Sequence, residues 1–142
     1  MGFRFKPAYY WFAIFALTSI AYQLVQDNIR PNYQGDDFII KYSLGIAPNF
    51  FPAIGIPALF VILLPEFNNA KKTNQWLTSK KHITANLISL TGLLTWEFLQ
   101  TTTARGRFDW NDILWTLIGG LIFQLIWILS PAAFKEELVE AN

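Results

Sequence analysis

The sequence predicts an all-α membrane protein with about four transmembrane helices. Hydrophobic residues make up 53% of the 142 residues and charged residues only 15%. The mean hydropathy is +0.29, whereas soluble domains of this length carry more charge and shorter apolar runs. Four apolar runs, each roughly 17 or 18 residues long, are just long enough to cross a bilayer core of about 30 Å. Aromatic residues amount to 17%, which is typical of proteins with aromatic belts at membrane interfaces.

The first apolar run, residues 9–26, contains no charged residue. No small-residue cleavage pattern follows it, so we interpret it as a retained helix rather than a signal peptide. The second run, residues 48–64, contains Pro52 and Pro57. Proline removes a backbone hydrogen bond inside a helix, so we expect a kink or a non-helical start here. Two interpretations remain open: a tolerated kink, and a cavity widened by the prolines toward the outer surface.

The third and fourth runs are residues 83–100 and 113–129. Gly92 lies in the third run, and Gly119 and Gly120 lie in the fourth. Small residues let helix backbones approach closely in lipid, so these three glycines predict close packing of the last two helices. With no internal repeat and no low-complexity tract, residues 1–142 are expected to form a single membrane domain.

The distribution of Lys and Arg predicts the orientation of the chain, because cytoplasmic loops carry more of both. One side holds seven of them in the two tails and the second loop, and the other side holds four. Both termini are therefore expected to face the cytoplasm. The outward side then contains the first loop, residues 27–47, whose apolar piece 38–40 would lie along the interface as a short element. The seven are Arg4, Lys6, Lys71, Lys72, Lys80, Lys81 and Lys135, and the four are Arg30, Lys41, Arg105 and Arg107.

Ionisable and amide side chains gather where the third run ends and the fourth begins. Since a short polar turn joins these runs, their ends must be antiparallel neighbours, and six side chains are expected to meet at the outer membrane surface. A carboxylate below the interface costs roughly 2.5 to 3.5 kcal/mol, so Glu97 should face protein and have a partner. The candidate binding site comprises Glu97, Gln100, Arg105, Arg107, Asp109 and Asp112.

Structural explanations compete for some of these residues. Asp109 is well placed to cap the fourth helix, and Asp112 lies in its first turn, where the helix dipole favours negative charge. Arg105 and Arg107 would equally be solvated loop residues, or would extend to lipid phosphates.

The stretch "EFLQTTTARGRFDWNDILWTLIGG", residues 97–120, resembles the VanZ-like family of small bacterial membrane proteins. The matching features are Glu-x-x-Gln, an Arg-Gly-Arg-Phe-Asp turn, and Asp-Ile-Leu followed by a glycine. The resemblance implies a multi-pass protein of the bacterial cytoplasmic membrane, from a family named for low-level resistance to a glycopeptide antibiotic. It also implies that the motif residues here are Glu97, Gln100, Arg107, Asp109, Asp112 and Gly119, with Arg105 as an added neighbour.

Three functions remain open at this point. The first is an accessory membrane protein that binds a lipid-linked envelope precursor or an antibiotic-like ligand, the two arginines holding its phosphate or carboxylate. The second is a structural or assembly subunit of a larger membrane complex. The third is an enzyme using Glu97 with Asp109 or Asp112 as an acid–base pair or for a divalent cation. The sequence predicts no cofactor and no resident metal, and its lack of cysteine excludes thiol chemistry. The net charge of +1 indicates no nucleic-acid partner, so membrane lipids and other membrane proteins are the expected partners.

Overall fold

The computed structural model describes residues 7–71, 80–102 and 108–136, and every regular element in these ranges is helical. The first helix is followed by a π-helical segment, Leu24–Ile29, which leads into a last short helical turn. A long central helix comes next, and two more long helices and a short terminal one follow it. In chain order the α-helices are α1 (Pro7–Gln23), α2 (Arg30–Asn32), α3 (Phe38–Lys71), α4 (Lys81–Gln100), α5 (Trp110–Leu129) and α6 (Ala133–Glu136).

The π-helical segment carries the first helix beyond its predicted end. The N–H of Arg30 donates to the carbonyl of Val25, five residues back, which is the π pattern. The next residue, Pro31, has no N–H and occupies the first turn of α2, where none is required. This continuation brings Gln26 and Arg30 to the same end of the bundle as the first residues of α3.

Helix α3 begins ten residues before the second apolar run. Asp37 caps it: its carboxylate Oδ1 accepts from the backbone N–H of Ile40 at 3.0 Å. The predicted loop over residues 27–47 is therefore wrong, because only residues 33–37 are non-helical. A kink or a non-helical start was expected at the prolines, and the second of these alternatives is wrong. The helix runs unbroken past Pro48, Pro52, Pro57 and Pro65, which membrane helices tolerate when the freed carbonyls find other partners.

Helix α3 is the centre of the bundle and packs against α1, α4 and α5. A Cβ atom on Gly119 of α5 would lie 2.6 Å from the Cβ of Ala53 and 2.8 Å from the carbonyl oxygen of Phe50. This glycine therefore allows α5 to approach α3. Gly55 of α3 plays the same part against α1, where a Cβ would overlap the hydroxyl of Thr18.

Of the three glycines predicted to bring α4 and α5 together, only Gly120 does so, because Gly119 meets α3 instead. A Cβ on Gly120 would lie 3.0 Å from a methyl group of Leu90, so Gly120 does bring these helices together. Gly92 does not: it is exposed, and among the described residues no heavy atom outside its own helix backbone would lie within 4 Å of its Cβ. The prediction failed there because glycine content does not reveal which face of a helix meets its neighbour.

Three helical stretches of the described chain are long and apolar enough to cross a membrane: Pro7–Asn32, Phe38–Pro65 and Trp110–Leu129. These stretches are typical of a multi-pass membrane protein. Their outward faces expose large apolar side chains such as Leu17, Leu121 and Leu129, as lipid contact requires. Helix α4 is not among them, and its buried face carries Thr84, Asn86, Ser89 and Glu97.

Candidate functional site

A cavity of about 610 Å³ lies at the end of the bundle where α3 and α5 begin and α4 ends. Its walls come from every long helix, and most of the side chains that line it are polar or aromatic. Two prolines of α3 form part of the wall, and the lining residues of α3, from Tyr42 to Pro52, extend along about three turns. The lining residues are Tyr22, Gln26, Arg30, Tyr42, Gly45, Pro48, Asn49, Pro52, Leu93, Trp96, Glu97, Gln100, Asp109, Asn111 and Asp112.

Among the described residues that line this cavity, Glu97 is the most deeply buried charged group, with only 3% of its surface exposed. Its Oε1 accepts a hydrogen bond from the side-chain amide of Gln100 at 3.1 Å. The three-residue spacing puts both side chains on one face of α4. Its other oxygen, Oε2, has no hydrogen-bond partner among the described residues. A buried carboxylate oxygen without a partner is costly, and it is therefore available to a ligand.

Asp109 and Asp112 enter the cavity from the start of α5. Asp109 is the N-cap, and its Oδ1 accepts from the backbone N–H of Asn111 at 2.8 Å. The capping interpretation of Asp109 is therefore confirmed, although the same residue also lines the cavity. Asp112 accepts a side-chain hydrogen bond from Asn49 of α3, and it is near enough to Glu97 for the two carboxylates to repel one another.

The charge of the described lining is negative. Glu97, Asp109 and Asp112 supply three carboxylates, and Arg30 is the single cationic side chain among the described lining residues. Arg30 attracts Asp112 across the cavity, and its guanidinium donates to the side-chain oxygen of Gln26 at 3.2 Å. Such a lining attracts a positively charged group and offers it carboxylate and amide oxygens as acceptors.

Four of the six predicted site residues thus line one cavity: Glu97, Gln100, Asp109 and Asp112. The other two, Arg105 and Arg107, lie outside the described residues. The described part of the chain also brings no three His, Cys, Asp or Glu side chains close enough together to hold a metal ion.

Several lining residues were not predicted from the sequence. Tyr42 of α3 donates its hydroxyl to Asn111 Oδ1 at 2.9 Å and accepts from the indole N–H of Trp115 at 3.0 Å. This pair of bonds fixes the wall between α3 and α5. Asn49 offered one usable signal, since it is an amide beside two prolines in an apolar run. Arg30 offered a weaker signal, because its place in the first loop connected it only with the orientation of the chain in the membrane.

Comparisons with known proteins give no family for this chain: no family model, no curated protein and no solved structure matches it.

Proposed function

We propose that this chain is a membrane binding protein whose polar cavity receives the positively charged head group of a ligand. Glu97 carries the proposal, because it is almost fully buried, faces a large cavity and keeps one carboxylate oxygen unpartnered among the described residues. An ammonium group would give that oxygen a charge-assisted hydrogen bond, worth about 1.5 to 3 kcal/mol. The repulsion between Glu97 and Asp112 would fall at the same time.

The proposal includes a topology of four spans with both termini in the cytoplasm. Helix α4 completes the set of four spans and is the third of them in chain order. Its neighbours shield the face that carries Glu97 from lipid. The cavity then opens on the outer surface of a bacterial cytoplasmic membrane. This topology is supported by the excess of Lys and Arg in the two tails and the second loop.

The likeness of residues 97–120 to the VanZ-like family supports an accessory role at the bacterial envelope. The ligand in that role would be an envelope precursor or an antibiotic-like molecule that reaches the cavity from the membrane. The described charges favour an amine on that ligand over the phosphate or carboxylate that two arginines alone would suggest. A part in resistance to envelope-directed antibiotics would follow from sequestering such a molecule.

The test compares three small probes of equal length, butylamine, butanol and butyrate, with the full chain in lipid nanodiscs. Saturation-transfer NMR reports which probe contacts the protein. We expect a signal from butylamine and at most weak signals from the neutral and anionic probes. Glu97→Gln should weaken butylamine binding about tenfold or more, which corresponds to the loss of about 1.4 kcal/mol.

Asp27→Asn is the matched control, because Asp27 is exposed and does not line the cavity. It removes one negative charge and should leave butylamine binding unchanged. The proposal fails if Glu97→Gln binds butylamine like the original chain. It also fails if Glu97→Gln markedly lowers the thermal stability of the unliganded protein, because Glu97 would then hold the helices together, as expected of a structural subunit.

A further inference from the structure

A second, smaller cavity of about 190 Å³ lies between α1 and α3, and its lining is mainly apolar. Two residues, Tyr22 and Pro52, line both this cavity and the large polar one, so the two spaces are neighbours. The smaller cavity is called the apolar groove below. It is lined by Phe15, Thr18, Ser19, Tyr22, Phe51, Pro52, Gly55 and Ile56.

The order of lining residues along both helices runs from apolar to polar. On the first helix the lining passes from Phe15 through Tyr22 to Arg30, and on α3 it passes from Ile56 through Pro52 to Tyr42. Because the two helices are antiparallel neighbours, both series point the same way. At a rise of about 1.5 Å per residue, residues 15 to 22 extend over about 10 Å. The polar cavity therefore has an apolar extension of roughly that length.

The polar atoms in the apolar groove do not alter its character. The hydroxyl of Thr18 donates within its own helix, to the carbonyl oxygen of Ile14 at 2.8 Å and to that of Phe15 at 3.0 Å. Gly55 allows α1 and α3 to touch at Thr18, so the groove is bounded by this contact. Only Pro7 and Trp11 of α1 are buried, both near its start and away from the groove, whereas the groove residues Phe15 and Ser19 are half-buried.

We propose that the ligand is an amphiphile with one alkyl chain, whose charged head lies in the polar cavity and whose chain lies in the apolar groove between α1 and α3. This inference rests on the proposed function for the position of the head group. The membrane supplies the route, because such a molecule is already oriented with its head at the surface and its chain in the hydrocarbon. The polar lining then selects the charged head, and the apolar lining selects the alkyl chain of the same molecule.

The experiment uses dodecylamine with a diazirine in the middle of its chain, added to the full protein in lipid nanodiscs. After irradiation, mass spectrometry locates the labelled residues. We expect the label to concentrate on the groove residues Phe15, Ser19, Phe51 and Ile56, and excess unlabelled dodecylamine should compete it away.

Ser19→Phe fills the apolar groove and should lower groove labelling about tenfold while butylamine binding persists. Ala13→Phe makes a similar change on an exposed position of α1 and should leave the labelling unchanged. Ile56→Phe blocks the groove from α3 and serves if Ser19→Phe does not fold. Label spread evenly over lipid-exposed faces, or insensitive to both groove variants, would overturn the inference by showing bulk lipid contact only.

The two proposals fail in different ways. Suppose that butylamine does not bind and that Glu97→Gln leaves groove labelling unchanged. The head-group proposal is then wrong, and so is the inference that one amphiphile occupies both cavities. If butylamine binds through Glu97 but the groove is not labelled, the polar site stands and the alkyl-chain inference is wrong.

Discussion

The two ends of this bundle share its long helices and differ in how the space between them is filled. At one end the helices surround a polar cavity of about 610 Å³. At the other end, aromatic side chains close the space between α1, α4, α5 and α6. The Trp11 and Trp127 rings stack with centroids 4.9 Å apart, His82 stacks on Trp127 at 4.7 Å, and Tyr10 stacks on Phe134 at 4.5 Å. We call the end with the polar cavity the cavity end, and the end closed by aromatic side chains the aromatic end.

Hydrogen bonds also hold the aromatic end together. At the aromatic end the indole N–H of Trp11 donates to the carbonyl oxygen of Phe134 at 2.8 Å, and the Tyr10 hydroxyl lies 2.9 Å from that of Ser130. The buried Lys81 ammonium donates to the carbonyl oxygen of Lys135 at 2.8 Å. At the cavity end Glu97 keeps an oxygen without such a partner. Three other buried side-chain atoms without a partner among the described residues, on Thr84, Asn86 and Ser89, lie along α4 outside the cavity lining. The aromatic end is set apart by its closed ring packing, where packing stability is concentrated, and the cavity end by the open cavity that the Glu97 oxygen faces.

The largest effect is expected from Trp11→Ala at the aromatic end. Trp11 is fully buried in the core with Phe123 and Trp127, and truncating a buried Trp typically costs about 3 to 5 kcal/mol. Thermal unfolding in nanodiscs should show this loss. The fraction of the Trp11→Ala protein that remains folded should still bind butylamine. Trp110→Ala is the control, because Trp110 is 75% exposed and should change stability little. Equal losses from both variants would contradict the assignment of stability to the aromatic end.

A smaller effect is expected from Gly119→Ala in the middle of the bundle. The new methyl group would press on the Phe50 carbonyl and on Ala53, which are backbone-bound atoms that cannot move aside easily. Overpacking of this kind costs typically about 1 to 3 kcal/mol. Gly92→Ala is the matched control and should be neutral or slightly stabilising, since its methyl group meets open space and alanine favours helix. The packing account is wrong if the two variants unfold at the same temperature.

The helical class and the positions of the long helices followed from hydropathy alone. Each of the four apolar runs lies within a helical stretch of the structure. The meeting of Glu97, Gln100, Asp109 and Asp112 at one cavity also followed from simple geometry, because a short turn forces the ends of two successive helices together. These predictions succeeded because they depend on local spacing, on chain length and on the cost of burying charge.

The opposite wall of the cavity depends on tertiary packing, which hydropathy does not specify. Arg30 and Asn49 reach the site only because α1 and α3 pack against the other helices. The rotation of each helix about its own axis could not be predicted from the sequence either. Trp11 lies near the end of an apolar run, where tryptophans are typical of the membrane interface, yet it is fully buried. A uniformly apolar helix gives no sign of which face meets protein and which meets lipid.

The smallest and most discriminating effect is expected from one tyrosine hydroxyl at each end. Tyr10→Phe and Tyr42→Phe each remove a hydroxyl with hydrogen-bond partners, so each should lower the unfolding free energy by about 1 kcal/mol. Only Tyr42 lines the cavity. Loss of its hydroxyl frees Asn111 and Trp115 to turn, so butylamine binding should weaken about fivefold, equivalent to about 1 kcal/mol. Tyr10→Phe should leave binding unchanged in the same NMR titration. Equal weakening by both variants would mean that the aromatic end also governs the cavity, and the division between the two ends would have to be abandoned.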